Sequence, residues 1–122
     1  MQGRAGLDRA SNMCSMTSDG SPYTRFKRAL GTGNLLLIQA AAAELPRVVL
    51  RDALEICLVL RDQDTARFER AAVRWLGRFA LEARGVTIES IQRAAGAFDA
   101  MPRRPQTAMD ILAGLCARHD LR

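Results

Sequence analysis

The stretch NLLLIQAAAAEL, Asn34 to Leu45, carries only three polar residues, Asn34, Gln39 and Glu44. A helix apolar on nearly every side is normally a buried one. The following segment, VVLRDALEICLVL from Val48 to Leu60, is almost as apolar. Both are therefore expected at the centre of a helical core, with the rest of the chain arranged to cover them. The apolar run Leu35–Ala43 is about half of the roughly 20 residues needed to span a bilayer, so no membrane partner is expected. No segment reads as a targeting signal.

Punctuation divides the remainder into helices. Ser21-Pro22 is a start signal, with Ser as N-cap and Pro at the first helical position. It predicts a short helix over Tyr23–Leu30, closed by Gly31 as the residue past the helix end. Asn34 caps the next helix, which runs toward Pro46 because Pro disfavours helical geometry in the residue before it. A third helix is expected over Arg47–Asp62. A fourth, capped by Asp64 or Thr65, runs to about Arg84, with Phe68, Ala72, Trp75, Leu76 and Phe79 on one face. Thr87 caps a fifth helix from Ile88 to about Met101. Pro102-Arg103-Arg104-Pro105 breaks the chain before a last helix ending near Arg118. The fold class is all-α: five or six short helices in an irregular bundle or two stacked helical hairpins. Leu37, Ala41, Leu54, Trp75 and Phe79 are expected to be buried together.

Residues 1–20 are rich in Gly, Ser, Asp and Arg without an apolar period, and read as a disordered segment. Met16 is a candidate start, which would make the residues before it non-native. Residues 21–122 then form a single helical domain. With 122 residues, of which 48% are hydrophobic, the chain can bury a core without staples. Three cysteines without a CxxC pair indicate neither a disulfide framework nor a zinc site, and fit a reducing cytoplasm.

The chemistry-bearing motifs are few. Gly31-Thr32-Gly33-Asn34 precedes a helix, but a phosphate loop needs a preceding strand and further glycines or a Gly-Lys-Ser/Thr, so a turn is expected. His119 is the one histidine, and Cys116 three residues earlier does not complete a tetrahedral site with it. No catalytic residue, metal ligand or cofactor is assigned, and the chain does not read as an enzyme. Two surfaces remain. Arg67, Arg70, Arg74 and Arg78 are spaced 3, 4 and 4 along the fourth helix. With a net charge of +5, they form a candidate nucleic-acid or anion surface, with Arg103 and Arg104 as further candidates. A charged helix face is more commonly a solvated one. Arg51, Glu55, Leu58 and Val59 mark a second candidate, an apolar strip on the third helix through which the chain would bind another protein or form a homodimer. The expected function is a non-enzymatic protein-interaction module, with nucleic-acid binding as the alternative.

Three segments, RFKRALGTGN, LPRVVLRDALEICLVL and RFERAAVRWLGRFALEARG, resemble small uncharacterised helical proteins of high-GC bacteria. The resemblance covers about Ser21 to Arg122 and implies a bacterial, all-helical protein. It brings no activity, cofactor or site residue.

Overall fold

The computed structural model describes residues 20–121. The expected disorder before Gly20 and the candidate start at Met16 lie outside the described residues. The fold is all-α, with six helices among the described residues: α1 (Pro22–Thr32), α2 (Leu35–Ala43), α3 (Leu50–Gln63), α4 (Thr65–Glu82), α5 (Ile88–Ala100) and α6 (Pro105–Arg118). Contacts group the chain into two compact units, divided in sequence between Arg47 and Val48.

The first unit contains a helical hairpin in which α2 packs against α1. Ser21 caps α1 through a bond from the Thr24 amide at 3.0 Å, with Pro22 in the first turn. The helix runs through Gly31 to Thr32, further than expected. The residue that closes it is Gly33, whose φ of 68° is the left-handed conformation that glycine adopts without steric cost. Phe26, Ala29 and Leu30 are the buried residues of α1.

The expectation that α2 is a buried helix is overturned. Leu36 is 78% exposed and Leu37 51%, Ala41 is half-buried, and Ile38 at 1% is the one buried residue of the helix. Within its unit α2 lies on a single neighbouring helix, and one neighbour covers one stripe. Leu37 and Ala41 therefore leave the expected core.

In the second unit α3 packs on α4, α4 on α5, α5 on α6, and α6 back on α3. This closed ring of four helices encloses a core in which Leu54, Trp75 and Phe79 are buried as expected. Trp75 stacks on Phe79, ring centroids 5.2 Å apart, and meets the edge of Phe98 at 5.4 Å. Such aromatic pairs add about 0.5–1.5 kcal/mol beyond their burial. The indole N–H donates to the Leu50 carbonyl at 2.8 Å, which removes the cost of burying it.

α2 ends at Ala43, short of the expected Pro46, and two further helix ends differ from expectation for identifiable reasons. α3 begins at Leu50 and not Arg47, because the Val48 carbonyl accepts from the Arg78 guanidinium and the first helical bond runs from Ala53 to Val49. α4 stops at Glu82 and not Arg84, because the Arg84 amide is diverted to the His119 carbonyl at 3.1 Å. Asp64 caps α4 through the Arg67 amide, and Thr87 forms a reciprocal capping box with Ser90.

Candidate functional site

The arginine stripe of α4 is geometrically intact, but its members differ in environment. Arg70 and Arg74 are exposed, whereas Arg67 and Arg78 are half-buried. Arg78 is engaged at every nitrogen. Its Nε and Nη2 donate to the Glu82 carboxylate at 2.8 and 3.3 Å, and its Nη1 to the Val48 carbonyl at 2.8 Å. That fork holds the chain entering α3 onto α4, and it is occupied before any phosphate arrives. Arg103 and Arg104 are exposed on the turn between α5 and α6.

Beside the stripe lies a cavity of about 170 Å³ between α3 and α4, lined by Cys57, Trp75, Arg74 and Arg78 among others. Burial pushes the Cys57 thiol up to about 12, against a smaller opposing pull from the Arg74 guanidinium. Burial likewise raises the Cys116 thiol, opposed by Arg51. The thiolate is the reactive form of cysteine, and burial disfavours it at both positions. Among the described residues no group of three or more His, Cys, Asp or Glu side chains is placed to hold a metal ion. None of their helices is long and apolar enough to cross a membrane.

Of the Gly31–Asn34 segment, Gly31 and Thr32 end α1, and Gly33 and Asn34 make the turn into α2. The amides an anion would use, those of Leu36 and Leu37, already donate to Asn34 Oδ1 at 3.0 and 3.3 Å, and the Asn34 amide donates to Thr32 Oγ1 at 3.1 Å.

On α3, Arg51 is exposed and Glu55, Leu58 and Val59 are half-buried. The buried side of the helix is Leu50, Asp52, Leu54, Cys57 and Leu60. Leu58 and Val59 thus sit at the margin of the helix's buried face, and do not form an open apolar strip.

Sequence reasoning missed His119. It is 7% exposed and edge-on to Phe79 at 5.5 Å. Its Nδ1 lies 2.6 Å from the Arg84 carbonyl and its Nε2 3.1 Å from Ser90 Oγ. A carbonyl only accepts, so Nδ1 carries a proton and, in the neutral ring, Nε2 accepts from the Ser90 hydroxyl. Ser90 Oγ also takes the Thr87 amide at 3.3 Å and sits 3.0 Å from Thr87 Oγ1. The hydroxyl thereby spends its donor and both lone pairs. The Ser–His spacing is that of a nucleophile and its base, but a saturated, buried hydroxyl serves as a clasp between the end of α6 and the α4–α5 turn. Leu112, Leu115, Cys116 and His119 follow i, i+3, i+4, i+7, and this continuation of the apolar stripe was the legible signal.

Two open grooves carry opposite charge. Between α4 and α5, about 300 Å³ is floored by Phe68, Ala72, Leu76 and Phe98, with Glu69 and Asp99 among its lining residues. Between α1 and α2, about 310 Å³ is floored by Ala29, Leu37, Ala40 and Ala41, with Arg25, Arg28 and Glu44 at its rim. Arg25 is bonded to the Glu44 carboxylate and to the Gly20 carbonyl.

In comparison with known proteins, no family model, no curated protein and no solved structure matches the chain.

Proposed function

We propose that the chain is a non-enzymatic protein-interaction module that binds through the α1–α2 hairpin. One observation carries this: Leu36 and Leu37 stand 78% and 51% exposed on a nine-residue helix with no charged side chain. Leaving a leucine in water forgoes about 1.5–3 kcal/mol of burial. Large apolar side chains left in water on an uncharged helix are what an interaction site presents. The strip on α3 is the weaker candidate, since Leu58 and Val59 are already half-buried. Nucleic-acid binding through Arg67, Arg70, Arg74 and Arg78 is weaker again, since Arg78 is committed to Glu82 and Val48.

Site-specific photocrosslinking tests the proposal. A photoreactive residue placed at Leu36 should give a discrete protein adduct in cells that make the chain naturally, and one placed at the exposed Asp62 should not. Equal labelling from both positions, or none from Leu36, would reject the hairpin as the binding face.

A further inference from the structure

We infer that the groove between α4 and α5 is a second docking site, one that takes a basic amphipathic helix from a partner protein. The inference goes beyond the hairpin reading and does not depend on it. The floor of the groove is preformed: Phe68 and Phe98 meet edge-on with ring centroids 6.4 Å apart, and both are buried. Above them the surface is left apolar. Val73 is 63% exposed and Leu76 half-buried on the α4 wall, and Ala95 is exposed on the α5 wall. The small side chains of Ala72 and Ala95 let a third helix backbone approach closely. The groove follows α4 from Thr65 to Leu76, about three helical turns or roughly 17 Å at the helical rise. An elongated apolar channel between two helices is the form that helix-in-groove recognition uses, and a compact ligand fills only part of it.

Charge selects the occupant. Glu69 on α4 and Asp99 on α5 stand exposed, one on each wall, and no basic residue lines the groove. Among the described residues neither carboxylate has a hydrogen-bond or ion-pair partner. Both therefore remain available to an incoming cation. Two negative walls around an apolar floor are complementary to a helix whose Leu or Ile anchors, at i, i+3, i+4 and i+7, are flanked on both sides by Lys or Arg. The net charge of the chain is +5, so a preference for cations here runs against the field of the whole molecule. Nucleic acid and anionic lipid are repelled by both walls. A second copy fits less well, because a two-fold axis through the groove sets each pair of carboxylates against an identical pair.

The test titrates the full chain against two fluorescent peptides of about 18 residues, because shorter helices are marginal in water. Both carry Leu at i, i+3, i+4 and i+7, one with Lys and the other with Glu at the flanking positions. The Lys peptide should bind at least about tenfold more tightly, with an affinity that falls as salt rises. Overall charge alone gives the opposite order, so the order of the two peptides is decisive. Glu69→Gln combined with Asp99→Asn should abolish the preference. Val73→Ser should weaken the Lys peptide by about tenfold, the effect of losing a central contact. Both variants should keep wild-type helicity by circular dichroism. Leu37→Ser should leave Lys-peptide binding unchanged, which separates this groove from the hairpin. Equal binding, tighter binding of the Glu peptide, or no binding of either overturns the inference. So does a preference that survives the loss of both carboxylates, or wild-type affinity in Val73→Ser. If neither peptide binds while sedimentation finds a dimer that Val73→Ser dissociates, the occupant is a second copy and the inference falls. If benzyltrimethylammonium displaces the Lys peptide at a comparable concentration, the groove is a site for small organic cations and the inference falls. Each of these failures leaves the hairpin reading standing.

Discussion

The helices α2 and α3 are neighbours in sequence, and α2 is the more apolar of the two, yet it is α3 that is inside. α3 buries Leu50, Leu54, Cys57 and Leu60, whereas α2 buries Ile38 alone. The difference lies in the direction of the apolar side chains, more than in their number. α3 turns Leu50, Leu54, Cys57 and Leu60 to one side, and α4 and α6 both pack on the helix. α2 has no such side. Its four alanines also gain little by burial, roughly one methyl group each at about 0.8 kcal/mol per carbon. A count of apolar residues therefore overstates the case for burying α2, and an apolar helix without a stripe is as compatible with an interface as with a core.

The largest expected effect tests the α3 side of this contrast. Trp75→Ala should cost about 3–5 kcal/mol, since it opens a cavity among Phe79, Phe98 and the Leu50 carbonyl. Urea unfolding followed by circular dichroism measures it. A loss below about 1 kcal/mol, the scale of a surface change, would mean that the four-helix ring does not depend on this cluster.

Arg78→Met should follow, at about 1–3 kcal/mol, the cost of leaving a carbonyl and a carboxylate without their donor. Arg78→Lys should restore little of it, because an ammonium cannot span both partners as the guanidinium fork does. Met in place of Arg at 78 with wild-type stability would return this residue to the candidate phosphate stripe. The same residue marks how far the sequence was legible. Six helices, their caps at Ser21, Asn34, Asp64 and Thr87, and the Leu54–Trp75–Phe79 core follow from local signals of period and capping. The roles of Arg78 and His119 depend on carbonyls 30 and 35 residues away, which no local pattern encodes. The exposure of α2 depends on how many helices cover it, and composition carries no count of neighbours. The opposed charges of the two grooves were likewise out of reach, since each groove is assembled from two helices.

A third effect is read against pH. The Cys57 thiol is raised from 9.0 to about 12 in the folded protein, so between those values the unfolded chain holds fewer protons than the folded one. Its contribution to stability is complete below about pH 9 and is lost as pH rises toward 12, at no more than about 1.4 kcal/mol per pH unit. Cys57→Ala should remove that decline. Stability measured by urea at pH 8 and pH 10 should converge between wild type and variant as pH rises. A constant difference would place an accessible thiol at Cys57 and break the claim that α3 is the buried member of the pair.

The smallest effect bears on α2. Leu36→Ala should change the stability of the isolated chain by no more than about 0.5 kcal/mol, the range of substitutions away from packed features. Two small contributions nearly cancel. Alanine is slightly the better helix former, and the leucine side chain, 78% exposed, has little contact to lose. A leucine covered by neighbours would instead cost about 2–5 kcal/mol on the same change. The measurement is therefore decisive despite its small expected size, provided it is made at several protein concentrations. A loss that appears only at high concentration belongs to association through α2, because the stabilisation lent by a bound copy scales with its concentration. A loss of about 2 kcal/mol or more that persists at the lowest concentration, the scale of a buried leucine, would place Leu36 inside the folded chain. The contrast between α2 and α3 would then disappear.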